Sequence, residues 1–252
     1  MQRVKATVAY EGTFFSGWQK QPGKRTVQEE IEKAMQKVHK GTFIPVVASG
    51  RTDSGVHAFG QVIHFDTPLH VPEKRWPKAL ERDLPKDVQL LGAEFVSSDF
   101  HARFDAMEKE YHYRVLASRH RDIFRRNHTY FFPYPYNLEE MKRAASFIPG
   151  TRDFSSFCAA NTDVEDKVRT VHEVRLEENG DELLFICRGS GFLYNMVRII
   201  VGTLLEVGRG KRTPEDIPAM IESRKRSAAG KTAPGQGLYL KKVLYPEELE
   251  KK

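Results

Sequence analysis

The sequence predicts an α+β fold built from two halves that share one order of elements: strand, helix, strand, strand, helix, strand. Short segments in which apolar and polar residues alternate indicate strands, and segments with apolar residues at helical spacing lie between them. Both kinds of segment occur in the same order in 1–104 and in 105–252. The two halves share no repeat at the level of individual residues, so the duplication is one of topology.

The first half begins with a strand, because residues 4–10 alternate between apolar and polar. A helix follows, since Thr26 with Glu29 three residues later is the pattern of a capping box. The remaining elements expected here are strands at 46–49 and 61–66, a helix from Pro72 to about Leu84, and a strand at 88–96.

The second half shows the same signals. Asn137 precedes Glu140 by three residues and predicts another helix start, and the dipeptide Asn179-Gly180 predicts a hairpin between two strands. The expected elements are strands at 109–117, 168–176, 182–189 and 238–245, and helices from Asn137, over 192–207 and from Thr213.

Each half therefore matches the split βαβ, ferredoxin-like (βαββαβ) unit. Two such units predict antiparallel sheets that form one extended sheet, with helices on one side and a central cleft on the open side. We expect an N-terminal α/β domain at 1–104 and a C-terminal α/β domain at 105–252 that completes the cleft.

Composition excludes several classes of protein. The 252 residues include no apolar run long enough to cross a bilayer and no signal peptide at the N-terminus, which predicts a cytoplasmic protein without membrane association. Cys158 and Cys187 do not have the spacing of zinc ligands. We therefore expect no metal site.

The distribution of charge favours a nucleic-acid partner. The formal net charge is +6, and basic residues concentrate in three segments that are interleaved with aromatic residues. Basic runs are usually solvated surface, but this combination allows cations to contact phosphates and rings to stack on bases. The three segments are 20–25, 119–128 and 224–226.

The most informative motif is Gly50-Arg51-Thr52-Asp53-Ser54-Gly55, which follows a short apolar stretch. Two glycines permit a tight loop that a substrate can approach closely, and Arg51 places a cation beside the acid. The motif predicts a reactive carboxylate at Asp53. The alternative is a turn in which the Asp53 side chain bonds its own backbone.

A second candidate is Arg198, in the middle of the apolar helix expected at 192–207. A buried guanidinium without an anion costs several kcal/mol, so it needs a partner. The side chain could extend to solvent or pair with a nearby acid such as Glu206. We favour a pair with Asp53 that holds this carboxylate ionised and oriented.

Two tyrosines lie on one face of the strand expected at 109–117. Tyr113 is flanked by Val115 and fits a core position. Tyr111, at the start of the strand, is better placed to reach a cleft and stack on a base. Such a contact contributes roughly 1–3 kcal/mol.

Several ordered motifs give the chain a resemblance to the TruA family, the tRNA pseudouridine synthases that act on the anticodon arm. They cover nearly the whole length. They are YEGTFFSGWQ at 10–19, GRTD at 50–53 continuing to residue 62, FHARF at 100–104, KEYHY at 109–113, the apolar helix at 192–202 and GLYL at 237–240.

The resemblance implies an isomerase that converts uridines 38, 39 and 40 of tRNA to pseudouridine, as a homodimer without a cofactor. It implies that Asp53 is the nucleophile, and that Tyr111, Arg51 and Arg198 are substrate-contacting or aspartate-associated residues. Asp53 can add to C6 of uracil, attack C1′, or assist a route through an unsaturated sugar. Tyr111 is a candidate base for the C5 proton.

Three other functions compete with this one. A glycoside hydrolase is disfavoured, because such enzymes generally use two facing carboxylates and only Asp53 has the context of a presented acid. A non-catalytic RNA-binding or tRNA chaperone protein could use the same sheets. A nucleotide-binding loop at 208–211 is excluded, because Leu205 and Arg212 occupy positions where that loop requires Gly and Ser or Thr. We therefore expect no nucleotide cofactor.

Overall fold

The structure, a computed structural model, describes residues 1–162 and 164–246. Their internal contacts divide them into two units. The first contains Met1–Met107 and the described residues from Tyr239 onward, and the second contains Glu108–Leu238.

The described residues form ten strands and five α-helices. The strands are β1 (Gln2–Tyr10), β2 (Val47–Ala48), β3 (His57–Thr67), β4 (Val88–Val96), β5 (Glu108–Leu116), β6 (Tyr130–Phe131), β7 (Gly150–Asp153), β8 (Val168–Asn179), β9 (Glu182–Gly189) and β10 (Leu238–Leu244). The helices are α1 (Val27–Val38), α2 (Trp76–Glu81), α3 (Leu138–Ser146), α4 (Met196–Gly208) and α5 (Asp216–Ser223).

In the first unit, β1 is central and pairs antiparallel with both β3 and β4. β2 pairs antiparallel with β3, and β10 pairs parallel with β3, with Tyr239 opposite His57. Val4, Ala6 and Val8 of β1 are fully buried, as expected for the inner face of a strand with period two. The apolar face of α1 is buried in the same core.

In the second unit, β9 pairs antiparallel with β5 and β8, and β7 pairs antiparallel with β8. The hairpin predicted between β8 and β9 is present. Its two loop residues are Gly180 and Asp181, and the predicted Asn179 is the last residue of β8, opposite Glu182. Gly180 takes the positive φ of 64° that the turn requires.

The capping box predicted at Thr26 is wrong, although the helix begins there. The Thr26 side chain is fully buried, and its Oγ1 has no hydrogen-bond partner among the described residues. The carbonyl oxygens of Gly17 and Trp18 accept instead from the first two helical N–H groups, at N···O distances of 3.2 and 3.0 Å. A neighbouring loop therefore caps α1.

The cap predicted at Asn137 is confirmed, because its Oδ1 accepts from the N–H of Glu140 at 3.1 Å. Three predicted helices begin later than expected, and one of them is α5, which begins at Asp216 and not at Thr213. A 3₁₀ turn precedes α2, which begins at Trp76, and α4 begins at Met196 because Asn195 has a left-handed backbone. Such a residue cannot continue a right-handed helix.

Some strand bounds differ from the sequence expectation, because β3 begins at His57 and β8 ends at Asn179. β6 and β7 were not predicted, since each is short and has no regular alternation. β10 begins at Leu238 as expected, and it pairs with β3. The expected α+β class with antiparallel sheets is confirmed.

No helix among the described residues is long and apolar enough to cross a membrane.

One buried histidine gives the first unit a dependence on pH. Burial lowers the pKa of His64 to about 4, and its Nδ1 accepts the N–H of Ala102 at 3.1 Å. The unfolded chain therefore binds a proton at a higher pH than the folded chain. The part of the stability that depends on neutral His64 is fully present above about pH 6.5, the ordinary pKa of histidine. It decreases as pH falls from there to about 4.

We expect His64→Asn to flatten this dependence, because the amide oxygen can accept the same N–H but does not titrate. The measurement is the free energy of unfolding from urea denaturation at a series of pH values. His70→Asn removes an exposed histidine and is the control. An unchanged slope in His64→Asn would contradict the assignment.

Candidate active site

The candidate nucleophile Asp53 lies in the loop that joins β2 to β3. The turn is closed by the N–H of Val56, which donates to the carbonyl oxygen of Asp53 at 3.2 Å. Gly55 has φ of 74°, a left-handed conformation that glycine adopts without steric cost. The glycine predicted to permit a tight loop therefore does so.

Hydrogen bonds on both sides of Asp53 fix this loop. The hydroxyls of Tyr10 and Thr52 are bonded at 2.8 Å in a buried position, and the N–H of Trp18 donates to the carbonyl oxygen of Thr52 at 3.0 Å. Before the loop, the Gln61 side chain bonds both Ser49 Oγ and the carbonyl oxygen of Gly50. The backbone on either side of the acid is thus held from the core.

The segment after β1 packs directly on the same loop. The N–H of Gly12 donates to Nδ1 of His57 at 3.0 Å. A Cβ on Gly12 would lie 2.0 Å from the carbonyl oxygen of Val56, and one on Gly17 would lie 2.7 Å from that of Thr52. These close contacts require glycine, because no side chain fits between the two backbones.

The residues of the loop differ in how exposed they are. Thr52 and His57 are buried, at 7% and 2% exposure. Asp53 between them is partly exposed, and Arg51 and Ser54 are exposed. The anchored residues are therefore buried, whereas part of Asp53 remains exposed, as a reacting residue requires.

In the second unit, Arg198 lies in the first turn of α4. Its Nε donates to the carbonyl oxygen of Ala233 at 2.7 Å, and Nη1 donates to Oδ1 of Asn195 at 2.7 Å. Glu206, the acid considered as its alternative partner, accepts from Arg212 and from the N–H of Lys231. Both Glu206 oxygens are therefore engaged by other groups.

The chain segment after α5 holds Arg198 in place by lying against α4. A Cβ on Gly202 would lie 1.7 Å from the carbonyl oxygen of Lys231. The N–H of Gly230 donates to Thr203 Oγ1 at 2.9 Å, and that of Ala233 donates to the carbonyl oxygen of Arg198 at 3.0 Å. The close approach brings the Ala233 carbonyl within reach of the guanidinium.

Tyr111 and Tyr113 of β5 have different environments. Tyr111 is 8% exposed, and its ring meets that of Phe192 edge to face, with centroids 5.3 Å apart. Tyr113 is fully buried and its hydroxyl donates to the carbonyl oxygen of Pro234 at 2.7 Å. Burial raises the pKa of Tyr113 well above its ordinary value. Tyr113 is a core residue, as the sequence indicated.

Many cations of the basic segments are engaged by acids. Arg25 makes a bidentate pair with Asp87, at 2.7 and 2.9 Å. Arg125 pairs with three acids, and the hydrogen bonding that it donates to Asp181 is the main cause that raises its pKa. Arg119 and Arg121 are exposed. The charge available to a polyanion is therefore smaller than the sequence count suggests.

The sequence reasoning missed an aromatic stack beside the loop. The Tyr239 ring lies between those of His57 and Phe59, with centroids 4.6 and 5.1 Å away, and Lys241 Nζ is 4.8 Å from the Phe59 ring centre. Phe59 is 47% exposed. The signal was its position two residues after His57 on the same strand, which places both rings on one face.

A mostly antiparallel α+β fold that presents one accessible carboxylate on a glycine loop fits an enzyme acting by nucleophilic catalysis. The sequence matches the family described as "tRNA pseudouridine synthase" over residues 6–105 and 144–246. The chain belongs to the tRNA pseudouridine synthase family, and the predicted resemblance is confirmed.

Similar proteins share most of this sequence. "tRNA pseudouridine synthase A" of Halalkalibacterium halodurans is 58% identical over 94% of this chain and 90% of its own. The protein of the same name from Bacillus subtilis is 55% identical over 96% and 99%. A solved structure, "Crystal Structure of a Cbf5-Nop10-Gar1 Complex", overlaps 81% of this chain and 54% of the other at 13% identity, with a TM-score of 0.35.

We expect Gly17→Ala to disturb the Asp53 loop specifically. Gly17 and Gly23 both have positive φ, but a Cβ on Gly23 has no atom within 4 Å. Gly23→Ala should lower the free energy of unfolding by about 1 kcal/mol, the cost of left-handed backbone for alanine, and Gly17→Ala by at least ~2 kcal/mol. Urea denaturation measures both.

Only Gly17→Ala should also reduce turnover of tRNA, because its Cβ displaces the Thr52 carbonyl next to Asp53. Equal loss of stability and equal turnover in the two variants would show that the contact with the loop is unimportant.

Proposed function

We propose that this protein converts uridines 38, 39 and 40 of the tRNA anticodon arm to pseudouridine, with Asp53 as the nucleophile. The observation that supports this most is the Asp53 loop itself. Buried hydrogen bonds through Thr52 fix its backbone, and Asp53 remains partly exposed. Membership of the family supplies the class of reaction and substrate.

The reaction breaks the N1–C1′ bond and forms a C5–C1′ bond. C5 loses its proton and N1 gains one, so the composition of the nucleoside does not change. Asp53 forms a transient bond to C6 or to C1′, or assists departure of uracil through an unsaturated sugar. One carboxylate is sufficient in each case, and no redox cofactor or metal is needed.

Arg198 is proposed to pair with Asp53 and keep the carboxylate ionised. A guanidinium beside a carboxylate favours its charged form. The contacts with Ala233 and Asn195 support the proposal, because they hold the guanidinium in one orientation and leave it a cation. A guanidinium that is already oriented loses less conformational entropy when it forms an ion pair.

Tyr111 is proposed to stack on the target uracil and to remove the C5 proton. Its ring orientation is fixed by the edge-to-face contact with Phe192, which favours stacking in one plane. Arg51, exposed on the loop, is proposed to occupy the space of the flipped nucleotide or contact its phosphate. Flipping costs a few kcal/mol, which such contacts offset.

The resemblance to the family further implies a homodimer, and composition predicts a cytoplasmic location; we include both in the proposal. The alternative is an RNA-binding or chaperone protein that performs no reaction. The two functions differ in one measurable way, because only the enzyme changes the nucleoside.

We expect Asp53→Asn to reduce pseudouridine formation at least about a thousandfold and to leave tRNA binding intact, because the amide keeps the shape of the side chain but is a poor nucleophile. Tritium release from tRNA labelled at C5 of uridine measures turnover, and filter binding measures affinity. Asp99→Asn, which removes an exposed acid elsewhere in the first unit, is the control. Full turnover in Asp53→Asn would reject the assignment.

We expect Tyr111→Phe to reduce turnover by about a hundredfold, the lower end of general acid–base catalysis, with little change in affinity, because the ring that stacks is retained. Tyr134→Phe removes an exposed phenol from the second unit and should turn over normally. If Tyr111→Phe is fully active, the phenol has no role in proton transfer and only stacking remains.

A further inference from the structure

The motif at 100–104 forms a rigid turn at the surface of the first unit. The N–H of His101 donates to Asp105 Oδ2 at 2.7 Å, and the N–H groups of Arg103 and Phe104 both donate to His101 Nδ1, at 3.1 and 3.2 Å. The N–H of Asp105 donates to the carbonyl oxygen of His101 at 3.1 Å. The turn is thus closed by four hydrogen bonds among its own residues.

The core also fixes this turn from below. The N–H of Ala102 donates to His64, and the carbonyl oxygen of Ala102 accepts from the Tyr245 hydroxyl at 2.6 Å. Ala102, His64 and Tyr245 are all buried. A residue that follows Ala102 by two positions therefore has a well-defined location on the surface.

Phe104 is that residue, and it is 75% exposed. Its ring is stacked on the His101 ring, with centroids 4.3 Å apart and planes inclined by 25°. The guanidinium of Arg103 lies 5.7 Å from the centre of the Phe104 ring and is exposed. An exposed phenylalanine adds little to the stability of the folded chain, so the rigid turn that presents it requires another explanation.

We propose that His101, Phe104 and Arg103 form a stacking platform for an unpaired nucleotide of the tRNA, separate from the contacts made by Asp53, Arg51, Tyr111 and Arg198. A base adds to the existing stack of two rings, and Arg103 contacts the adjacent phosphate. The inference rests on tRNA being the substrate. It adds Phe104 and Arg103 to the residues that position this substrate.

The chemistry of the platform favours RNA over a protein partner. A flat aromatic ring with a guanidinium beside it is the pair of groups that stacks on bases and neutralises phosphates. The one carboxylate in the turn, Asp105, accepts from the backbone of His101. The two residues adjacent to Phe104 in the chain, Arg103 and Asp105, are both charged, which disfavours a hydrophobic protein interface at this ring.

We expect Phe104→Ala to raise the Kd for tRNA about tenfold and leave kcat at saturating tRNA unchanged, because the platform holds the substrate and does not touch the reacting atoms. Phe104→Tyr should restore the affinity, since it restores the ring. Phe43→Ala is the control, because Phe43 is also exposed and also has a cation, Lys20, near its ring. Filter binding and tritium release measure the two quantities.

A spectroscopic test detects the stack directly. Trp18 and Trp76 are both buried, so the indole introduced by Phe104→Trp is readily distinguished by its exposure. We expect unmodified tRNA to quench the fluorescence of this indole and to protect it from acrylamide. Phe43→Trp should show neither effect.

The outcomes separate the platform from the proposed function. If wild type forms pseudouridine but Phe104→Ala binds tRNA as tightly as wild type, the platform is rejected and the function stands. If wild type does not act on tRNA, the function is rejected. If the indole at this position responds to protein concentration in the absence of tRNA, a second copy of the chain covers the site, and the proposal is overturned.

Discussion

The buried hydrogen bond between the hydroxyls of Tyr10 and Thr52, 2.8 Å long, is the interaction on which the candidate site depends. Tyr10 ends the central strand of the first unit and Thr52 precedes Asp53. The bond therefore links the end of the central strand to the residue next to Asp53. Burial raises the pKa of Tyr10 above its ordinary value, so the phenol stays neutral and remains able to donate. A loop joined in this way to the core loses little additional entropy when substrate binds.

Close approach of two backbones is the second constraint. Gly12 and Gly17 lie against the Asp53 loop, and Gly202 lies against the segment that holds Arg198. At each position a Cβ would come within 3 Å of a carbonyl oxygen. These glycines affect the positions of Asp53 and Arg198 although they are several residues away, because they allow the neighbouring backbone to approach closely. A substitution at one of these glycines can therefore displace Asp53 or Arg198 without changing the chemistry of either side chain.

Much of the fold could be predicted from the sequence, because many of its signals are local. β4 has the predicted bounds, and the Asn137 cap joins residues only three apart. The expectation for Thr26 failed because Gly17 and Trp18 cap that helix from outside it. For the site, the paired glycines around Asp53 indicated a presented acid. The bond between Tyr10 and Thr52 could not be predicted, since it joins residues 42 positions apart and requires the sheet register to be known.

The charge distribution is also only partly predictable from the sequence, because the sequence does not show which cations pair with acids. Arg25 and Arg125 contribute to the basic segments that favoured nucleic acid, but both are bound to acids in the folded chain. Arg51 and Arg103 lie outside those segments and are exposed. A cation stabilises a bound phosphate most when it does not have to break an existing ion pair. The free energy needed to break such a pair offsets that of the new contact. The residues that bind RNA are therefore better identified from how the structure pairs each cation than from where cations cluster in the sequence.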